Sequence, residues 1–355
     1  MRILRALNLP VTISSLLLIS IGVLVIYSSS KEQAFQQLVY LAAGFTLFLF
    51  ISLLDLQSLR KFINPLYIFE ILLLLIVLIW GLETRGSIRW IPLGFFNIQP
   101  SEFAKPVLIL LLAAFWSRSV PNWTNIFKSL ILISPFILLI FKQPDLGSSL
   151  TLISIWLGML FASRVSIKKV FILILIAILV IPSSWLFLKE YQRQRIIGFL
   201  QPGSDPLGRG YNLIQSTIAV GSGQLFGRGL GRGTQSRLQF LPEYRTDFIF
   251  ASIAEEMGFL GSFIILIIYL YLLTFCLRVA SRVLDRFDFL LVIGVFSMLT
   301  FQIFVNIGMN IGLLPITGIT LPLISYGGSS SVVTFICLGL VASVATRSQN
   351  LRLDS

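Results

Sequence analysis

Histidine is absent from the 355 residues of this chain, and cysteine occurs only twice, as Cys276 and Cys337. Without histidine, Ser–His and Cys–His nucleophilic schemes and histidine-ligated metal sites are excluded. Both cysteines lie in or beside apolar runs, so we expect neither a disulfide framework nor a CxxC redox site. Any acid or base must therefore be a carboxylate, a lysine, a tyrosine or water.

Charge is also scarce: charged residues make up 12% of the chain, whereas 56% of the residues are hydrophobic. A soluble domain carries about 25% charged residues, so this composition indicates an integral membrane protein. The apolar runs are continuous rather than alternating, which favours helices over a barrel. We predict an all-α polytopic membrane protein, one domain over residues 1–355, with about ten transmembrane helices, at residues 9–29, 35–55, 62–82, 102–118, 126–141, 147–163, 169–189, 248–277, 287–312 and 323–346.

The distribution of cations between the predicted loops sets the orientation. With the N-terminus in the cytoplasm, the inner loops hold most lysines and arginines, from Arg2 and Arg5 to Arg347. This is the positive-inside pattern, and it predicts that both termini are cytoplasmic. The net charge of +12 then comes largely from cytoplasmic loops and does not indicate nucleic-acid binding. The short outer loops carry few cations, namely Lys31, Arg85, Arg89 and Lys142.

A long polar loop, residues 190–247, separates the seventh and eighth predicted helices and is expected on the extracytoplasmic side. It carries several cations there, against the positive-inside bias, among them Arg193, Arg195 and Arg209. Arginine forks suit an anionic ligand such as phosphate or pyrophosphate. The alternative is attraction to lipid headgroups, or simple solvation of a long loop.

Glycines crowd the middle of this loop, from Gly203 to Gly233. Successive backbone N–H groups in such a run can form an anion nest, although a flexible linker has the same composition. The apolar residues between the glycines argue against a bare linker, and residues 211–220 predict a short amphipathic helix on the membrane.

Ionisable residues inside apolar segments are expensive and mark candidate sites. In QPSEFAK, Glu102 and Lys105 are three residues apart and share one helical face. They are either a mutually neutralising pair with Ser101 as helix cap, or a pair that positions a substrate-facing group. Both interpretations stay open, and Glu255 and Glu256 are further candidates for pairing with Lys105.

Two aspartates begin predicted helices at the outer surface. Asp145, in KQPDLGSS, is a candidate helix cap and also a candidate for lining a polar site. Asp247 precedes the apolar FIFASIA and is the strongest catalytic candidate. A carboxylate held ionised beside an apolar wall can accept a proton from a substrate hydroxyl. The alternative is that Asp247 is the N-cap of the eighth predicted helix.

Two further segments are candidates for lining the same site. The stretch SIRWIPLGFFNIQP has an interfacial composition, and Arg89 would then face the outer surface. The stretch NIGMNIGLLPITGITLPLISYGGSSS should break helices, which is tolerated at membrane depth where backbone is packed or lines a cavity. Candidates for lining a polar groove there are Asn306, Asn310, Thr317, Ser325, Tyr326 and Ser329. Tight packing through small residues is the alternative.

These segments occur together in one known family. The chain resembles the SEDS (shape, elongation, division and sporulation) proteins of the RodA type through IRWIPLG, QPSEFAK, QPDLG, YQRQRI, DPLGRGYNLIQS, GTQSRLQFLPEYRTDFIFASIAEEMG and LPLISYGGSSS, over nearly its whole length. The resemblance implies a ten-helix glycosyltransferase of the bacterial cytoplasmic (inner) membrane that polymerises peptidoglycan from lipid II. It also implies a class B penicillin-binding protein, a single-span transpeptidase, as partner.

The resemblance also implies roles for individual residues. The essential aspartate of the family falls on Asp247, and its QPSEFAK and QPDLG motifs fall on Glu102, Lys105 and Asp145. A histidine commonly precedes the Thr–Asp pair, where this chain has Arg245. We expect this position to contact or steer charge rather than to transfer protons.

Lipid II carries its sugars α-linked to undecaprenyl pyrophosphate, whereas the polymer bonds are β, so the resemblance implies one inverting displacement. We predict Asp247 as the base and Arg193, Arg195 and Arg209 as pyrophosphate ligands. A divalent cation such as Mg²⁺ or Mn²⁺ is a further candidate for that work, although the sequence shows no clear ligand set. The rival functions are a lipid-linked substrate flippase, whose usual mark is inverted repeats, and a non-catalytic scaffold of the elongation complex.

Overall fold

Apolar helices dominate this computed structural model, which describes residues 8–84, 87–93, 96–185, 188–238 and 240–353. Arg2, Arg5 and Arg85, which entered the orientation argument, lie outside the described residues. The longer helices, in chain order, are α1 (Leu9–Ser29), α2 (Lys31–Leu53), α4 (Ile63–Trp80), α5 (Pro100–Arg118), α6 (Trp123–Lys142), α7 (Leu146–Ala162), α8 (Ile167–Ser184), α12 (Ile249–Arg282), α13 (Arg286–Asn310) and α14 (Gly328–Leu353). The shorter helices are α3 (Leu56–Arg60), α9 (Glu190–Leu200), α10 (Tyr211–Ser222) and α11 (Thr234–Arg237).

Within the described residues, eight helices are long and apolar enough to cross a membrane. Helix α7 is equally apolar but has 17 residues, and α8 coincides with the remaining predicted span. Each of the ten predicted segments thus corresponds to a helix, and the prediction of a polytopic helical membrane protein is confirmed. The most buried of these helices are α5, α13 and α14, while α4 and α6 leave most of their residues at the outside of the bundle.

A small antiparallel sheet is a difference from the all-helical expectation. Strands β1 (Leu82–Thr84), β2 (Ser87–Leu93) and β3 (Phe96–Ile98) pair in sequence order, with Ile91 opposite Ile98. The segment, which was expected to lie at the interface, is rich in β-branched and aromatic residues, which favour strands. The sheet leads directly into α5 and brings Arg89 to that end of the helix.

Glycine and proline interrupt the helices in two segments. Helix α12 extends from Ile249 to Arg282, past the predicted end at residue 277, and is broken at Gly258, where φ is 68° and ψ is −165°. The stretch that was predicted to break helices does so, since α13 ends at Asn310 and α14 begins at Gly328. The amphipathic helix predicted at residues 211–220 is present as α10.

An ion-pair cluster ties the opposite end of the bundle. Arg60 donates to Asp285 and, at 3.3 Å, to Asp288, which Arg347 approaches at 3.5 Å. Burial opposes the ionisation of Asp285, but the hydrogen bonds from Arg60 and the Phe287 N–H lower its pKa overall. The cluster lies at the start of α13, while Asn310 ends that helix. The two ends are about 37 Å apart at 1.5 Å per residue.

Candidate active site

Asp247 lies where the long loop enters α12, held by the end of α13. Its backbone carbonyl accepts hydrogen bonds from the side-chain amides of Asn306, at 2.9 Å, and Asn310, at 3.0 Å. Asn306 also donates to the carbonyl of Ile319, at 2.7 Å. Both asparagines are fully buried, so their amides fix the backbone on which the Asp247 side chain stands.

The N-cap alternative places Asp247 at the start of α12, where the structure has a different residue. The N-cap position is Phe248, and it makes no side-chain cap hydrogen bond. The free N–H of Ala251 is instead bonded by the side-chain oxygen of Asn310, at 3.0 Å. Asp247 is thus not the N-cap residue of α12, and its functional interpretation stays a prediction.

Arg195 is the cation that the structure brings to Asp247. A Cβ built at Gly318 would lie 3.6 Å from Asp247 Oδ2 and 3.7 Å from Arg195 Nη1, so both charged groups border this glycine. Arg195 also approaches the carbonyl of Ile316, at 3.4 Å. Gly318 has a positive φ of 78°, a backbone conformation that favours glycine, and a side chain there would contact both charged groups.

The other two predicted arginine ligands have different neighbours. Arg193 donates to the carbonyl of Trp185, at 3.1 Å, and stacks over the Trp185 ring, at 5.8 Å. It lies two residues before Arg195 on α9, and two residues correspond to about 200° of helical rotation, so the two side chains leave the helix on opposite sides. Arg209 pairs with Asp205 at 3.7 Å, and both side chains are largely exposed.

The C-terminal polar stretch fixes the residues just before Asp247. Ser325 donates its hydroxyl proton to the carbonyl of Thr246, at 2.6 Å, and accepts the N–H of Leu321, at 2.8 Å. The N–H of Tyr326 bonds the carbonyl of Arg245, at 2.8 Å. The buried hydroxyl of Ser325 thus supports the backbone of the Asp247 turn.

Asp145 is the centre of a buried polar cluster at the start of α7. Its Oδ1 accepts the N–H of Ser148, at 3.0 Å, which makes it the N-cap of α7. Its Oδ2 accepts from Ser148 Oγ at 2.9 Å, Gln99 Nε2 at 3.1 Å and Ser101 Oγ at 3.3 Å. Arg89 lies 3.9 Å from the same oxygen. The aspartate therefore joins the sheet to the first turns of α5 and α7.

Glu102 and Lys105 form a buried ion pair on α5, with Lys105 Nζ 2.5 Å from Glu102 Oε1. The two charges pair, but the expectation that Ser101 caps the helix is wrong, because the N-cap position of α5 is Gln99. Of the other partners considered for Lys105, Glu255 accepts from Thr234 and from the Gln235 N–H.

Residues 317–319 connect the two polar regions. At the start of α7, a Cβ at Gly147 would lie 3.0 Å from the carbonyl of Thr317 and 2.8 Å from the Ile319 side chain. Gly318 between them borders Asp247. The Asp145 cluster and the Asp247–Arg195 pair therefore lie on two sides of one short segment. Gly318 itself was missed by the sequence argument, although its place between two prolines in a helix-breaking stretch was a signal.

Arg245 is hydrogen-bonded to the connection between α1 and α2. Its guanidinium donates to Ser29 Oγ at 2.8 Å, to the Ser29 carbonyl at 3.1 Å and to Gln33 Oε1 at 2.6 Å. It also stacks over the Tyr244 ring, at 4.6 Å. These contacts anchor the Asp247 turn to the connection between α1 and α2. The groups contacted there are neutral, so the expectation that this position contacts or steers charge stays a prediction.

Metal ligands are sparse at this site. Over the described ranges, no group of three or more His, Cys, Asp or Glu residues is arranged to hold a metal ion. Asp145 is already occupied by protein donors, and both Arg195 and Asp247 border Gly318, so a divalent cation there would compete with a guanidinium. Among the residues that the structure describes, the arrangement does not fit a resident metal site.

Fold and site together define a multi-pass membrane protein with a carboxylate–arginine pair at one end of its bundle. The model of the FtsW/RodA/SpoVE cell cycle proteins matches residues 4–350. The peptidoglycan glycosyltransferase MrdB of Escherichia coli K12 is 44% identical over 81% of this chain and 78% of its own length. Stage V sporulation protein E of Bacillus subtilis is 36% identical over 96% of this chain and 98% of its own.

Two solved structures have the same fold as this chain. A chain of a peptidoglycan synthase complex, described as coordinating polymerization and crosslinking, superposes with a TM-score of 0.83 at 33% identity, covering 95% of this chain and 97% of that one. The rod shape determining protein RodA of Thermus thermophilus superposes with a TM-score of 0.72 at 28% identity, covering 94% of this chain and 95% of its own. The chain belongs to the FtsW/RodA/SpoVE family, and the predicted membership of the SEDS proteins is confirmed.

Proposed function

We propose that this chain polymerises lipid II into glycan strands during cell elongation, with Asp247 as the general base. Peptidoglycan glycosyl transfer is the activity in the name of its relative MrdB, and the chain is an enzyme of this class. The observation that carries the mechanism is the convergence of Asp247 and Arg195 on Gly318, at 3.6 and 3.7 Å from its Cβ position.

The chemistry needs a base and a stabiliser of the leaving group. The acceptor 4-hydroxyl attacks the anomeric carbon of the donor sugar as Asp247 takes its proton. The bond between that carbon and the pyrophosphate oxygen breaks, and undecaprenyl pyrophosphate leaves from the opposite face, which inverts the configuration. A guanidinium is a strong ligand for such an anion. Arg195 is therefore assigned to the developing charge on the pyrophosphate.

The remaining predicted site residues support this centre. Arg193 and Arg209, on the loop around Arg195, are proposed to attract the diphosphate of incoming lipid II. The Glu102–Lys105 pair and the Asp145–Arg89 cluster hold the outer ends of α5 and α7, against which residues 317–319 pack. Ser325 is proposed to act on substrate through the backbone that it supports rather than by direct contact.

The setting of the enzyme follows from its family and its charge pattern. We place it in the bacterial cytoplasmic membrane with both termini in the cytoplasm, which puts Asp247 on the outer face. The proposed partner is a class B penicillin-binding protein, since one similar chain belongs to a synthase complex that joins polymerization to crosslinking. Lipid II and the nascent glycan strand are the proposed substrates.

Replacing the carboxylate by an amide tests the assignment. We expect purified Asp247→Asn protein to lose about 10²–10⁴-fold in lipid II polymerisation, because that is the usual contribution of a positioned base. Asp55→Asn is the matched control, since Asp55 is an exposed capping aspartate at the other end of the bundle. Polymerisation near the wild-type rate in Asp247→Asn would refute the mechanism. If the wild-type protein scrambles lipid without forming polymer, the flippase is favoured. If it shows neither activity, the scaffold is favoured.

A further inference from the structure

Helix α12, which carries Asp247 at its start, is two helices joined at Gly258. The backbone there has φ 68° and ψ −165°, a region essentially restricted to glycine. Residues 259–282 are about 36 Å long at 1.5 Å per residue, which is enough to cross the hydrocarbon core by themselves. The outer half-helix, residues 249–257, is therefore not needed for spanning and serves another purpose.

A loop segment, residues 224–229, fills the break. In a continuous helix the N–H groups of Phe259 and Leu260 would bond the carbonyls of Glu255 and Glu256. Here Phe259 and Leu260 donate instead to the carbonyls of Gln224, at 2.8 Å, and Leu225, at 3.1 Å. The freed carbonyls of Glu255 and Glu256 accept the N–H groups of the loop, from residues 228 and 229, at 2.9 and 3.0 Å. The loop has replaced two helical hydrogen bonds by four.

The glycines of the loop are required for this fit. A Cβ at Gly223 would overlap the carbonyl of Ala254, and one at Gly227, where φ is 80°, would overlap the carbonyl of Glu256. A Cβ at Gly258 would overlap the N–H of Gly227 from the other side. This packing, rather than an anion nest or a free linker, accounts for the glycines of this segment.

Side chains attach the outer half-helix to the same loop and to α1. Glu255 is fully buried and accepts the N–H of Gln235, at 2.9 Å, and the hydroxyl of Thr234, at 3.1 Å. Glu256 accepts the hydroxyl of Ser28, at 3.0 Å. The half-helix is thus held at its inner end by the loop and at its outer end by Asn310. Its orientation sets the direction in which the preceding Asp247 points.

We propose that residues 224–229 act as a wedge that positions Asp247 for catalysis by holding α12 broken at Gly258. The inference rests on the proposed role of Asp247 as base. If the wedge leaves, the freed groups of residues 255–260 pair with one another and the helix becomes continuous. The half-helix then changes direction and carries Asp247 away from Arg195.

Gly258→Ala and Gly227→Ala each remove the wedge, because both side chains collide with the opposite backbone and alanine favours a continuous helix. We expect kcat for lipid II polymerisation to fall by about 10- to 100-fold with KM little changed, since a displacement of about 1 Å can cost 100-fold. Gly221→Ala is the matched control, because a Cβ there meets nothing within 4 Å. Each rate is divided by the amount of monodisperse, folded protein, so that a lower yield of folded protein is not mistaken for a lower kcat.

Hydrogen exchange reports the wedge independently of activity. The amides of Arg228 and Gly229 should exchange slowly in the wild-type protein and in Gly221→Ala, and rapidly in the two wedge variants. Rapid exchange with the kcat of the control would overturn the proposal while leaving the proposed function intact. A wild-type protein that makes no polymer would refute the proposed function, and the exchange would still show whether the segment occupies the break.

A cross-link that locks the wedge in place keeps the test decisive if the alanine variants do not fold. Leu225 and Leu260 are both exposed and joined by a backbone hydrogen bond, and the natural cysteines are buried. In the double variant Leu225→Cys, Leu260→Cys, we expect the oxidised protein to polymerise lipid II as fast as the reduced one. Inactivation by oxidation that a reductant reverses would show that catalysis needs the wedge to leave, and would overturn the proposal.

Discussion

Asp145→Asn separates two roles that one side chain combines. As the N-cap of α7, Asp145 needs an oxygen for the Ser148 N–H, and asparagine provides one equally well. As the centre of the cluster, it also needs Oδ2 as an acceptor for Gln99, Ser101 and the nearby Arg89. In asparagine that second position becomes an NH₂ donor, so the cap survives and the cluster does not.

The size of the effect follows from which donors can adapt. The hydroxyls of Ser101 and Ser148 can rotate and accept, whereas the Arg89 guanidinium has donors only. Arg89 lies 3.9 Å from Oδ2 and donates to the carbonyls of Gln143 and Pro144, so it loses the negative charge that it faces, in a site where Asp145 is 5% exposed. Gln99, Ser101 and Ser148 lose an ionised acceptor, and a hydrogen bond to a charged group contributes about 1.5–3 kcal/mol. We expect the free energy of unfolding to fall by about 3 kcal/mol.

Thermal unfolding of the purified protein at a fixed scan rate measures this loss as an apparent Tm lower by about 5 °C. Asp55→Asn is the control, because Asp55 caps α3 through Gln57 and Ser58 but is exposed. Hydrogen bonds from those N–H groups, chiefly the one from Gln57, lower the pKa of Asp55, and asparagine accepts them as well. Equal Tm values for the two variants would refute the cluster as the reason for the burial of Asp145.

Three further substitutions test the supports of the site. Asn310→Ala removes a donor from the Asp247 carbonyl and leaves the buried N–H of Ala251 unpaired. The free energy of unfolding should fall by about 1–3 kcal/mol, and kcat should fall more than KM rises. An unchanged Tm would contradict this expectation. Arg245→His is too short to keep its three hydrogen bonds to the α1–α2 connection, and should lower the apparent Tm without adding a step to the pH–rate profile. Lys105→Met leaves Glu102 buried and unpaired, which should cost about 3–5 kcal/mol; adding Glu102→Gln should recover most of the Tm, and no recovery would show that the two charges are not coupled.

The membrane segments were predictable because a bilayer imposes one requirement on each of them. A spanning helix must be apolar over about 20 residues, and this signal is local. The helix ends were less predictable: α12 continues past residue 277 to Arg282, and its break at Gly258 lies inside the predicted span. The sheet of β1–β3 was not predicted, because three short strands have the same composition as an interfacial segment.

The candidate site was partly predictable for a different reason. Asp247 and Arg195 stand out as charges beside apolar sequence, and the resemblance to a family singles out Asp247. Their proximity depends on Gly318, more than 70 residues later, and nothing local to either charge indicates it. Arg193 and Arg195 appeared equivalent in a loop, yet they become different once the loop forms α9, which directs them to opposite sides.

The glycine-rich run shows why composition alone gave two interpretations and missed a third. Glycine allows close approach to a backbone, and an anion nest, a linker and a wedge all use that property. What separates them is the partner, and here the partner is the set of N–H and carbonyl groups freed by the break at Gly258. A glycine inside a long apolar helix, with a glycine-rich segment about 30 residues before it, therefore predicts that the segment fills the break. The freed backbone groups must bond somewhere, and a segment with glycine at the points of contact can approach closely enough to satisfy them.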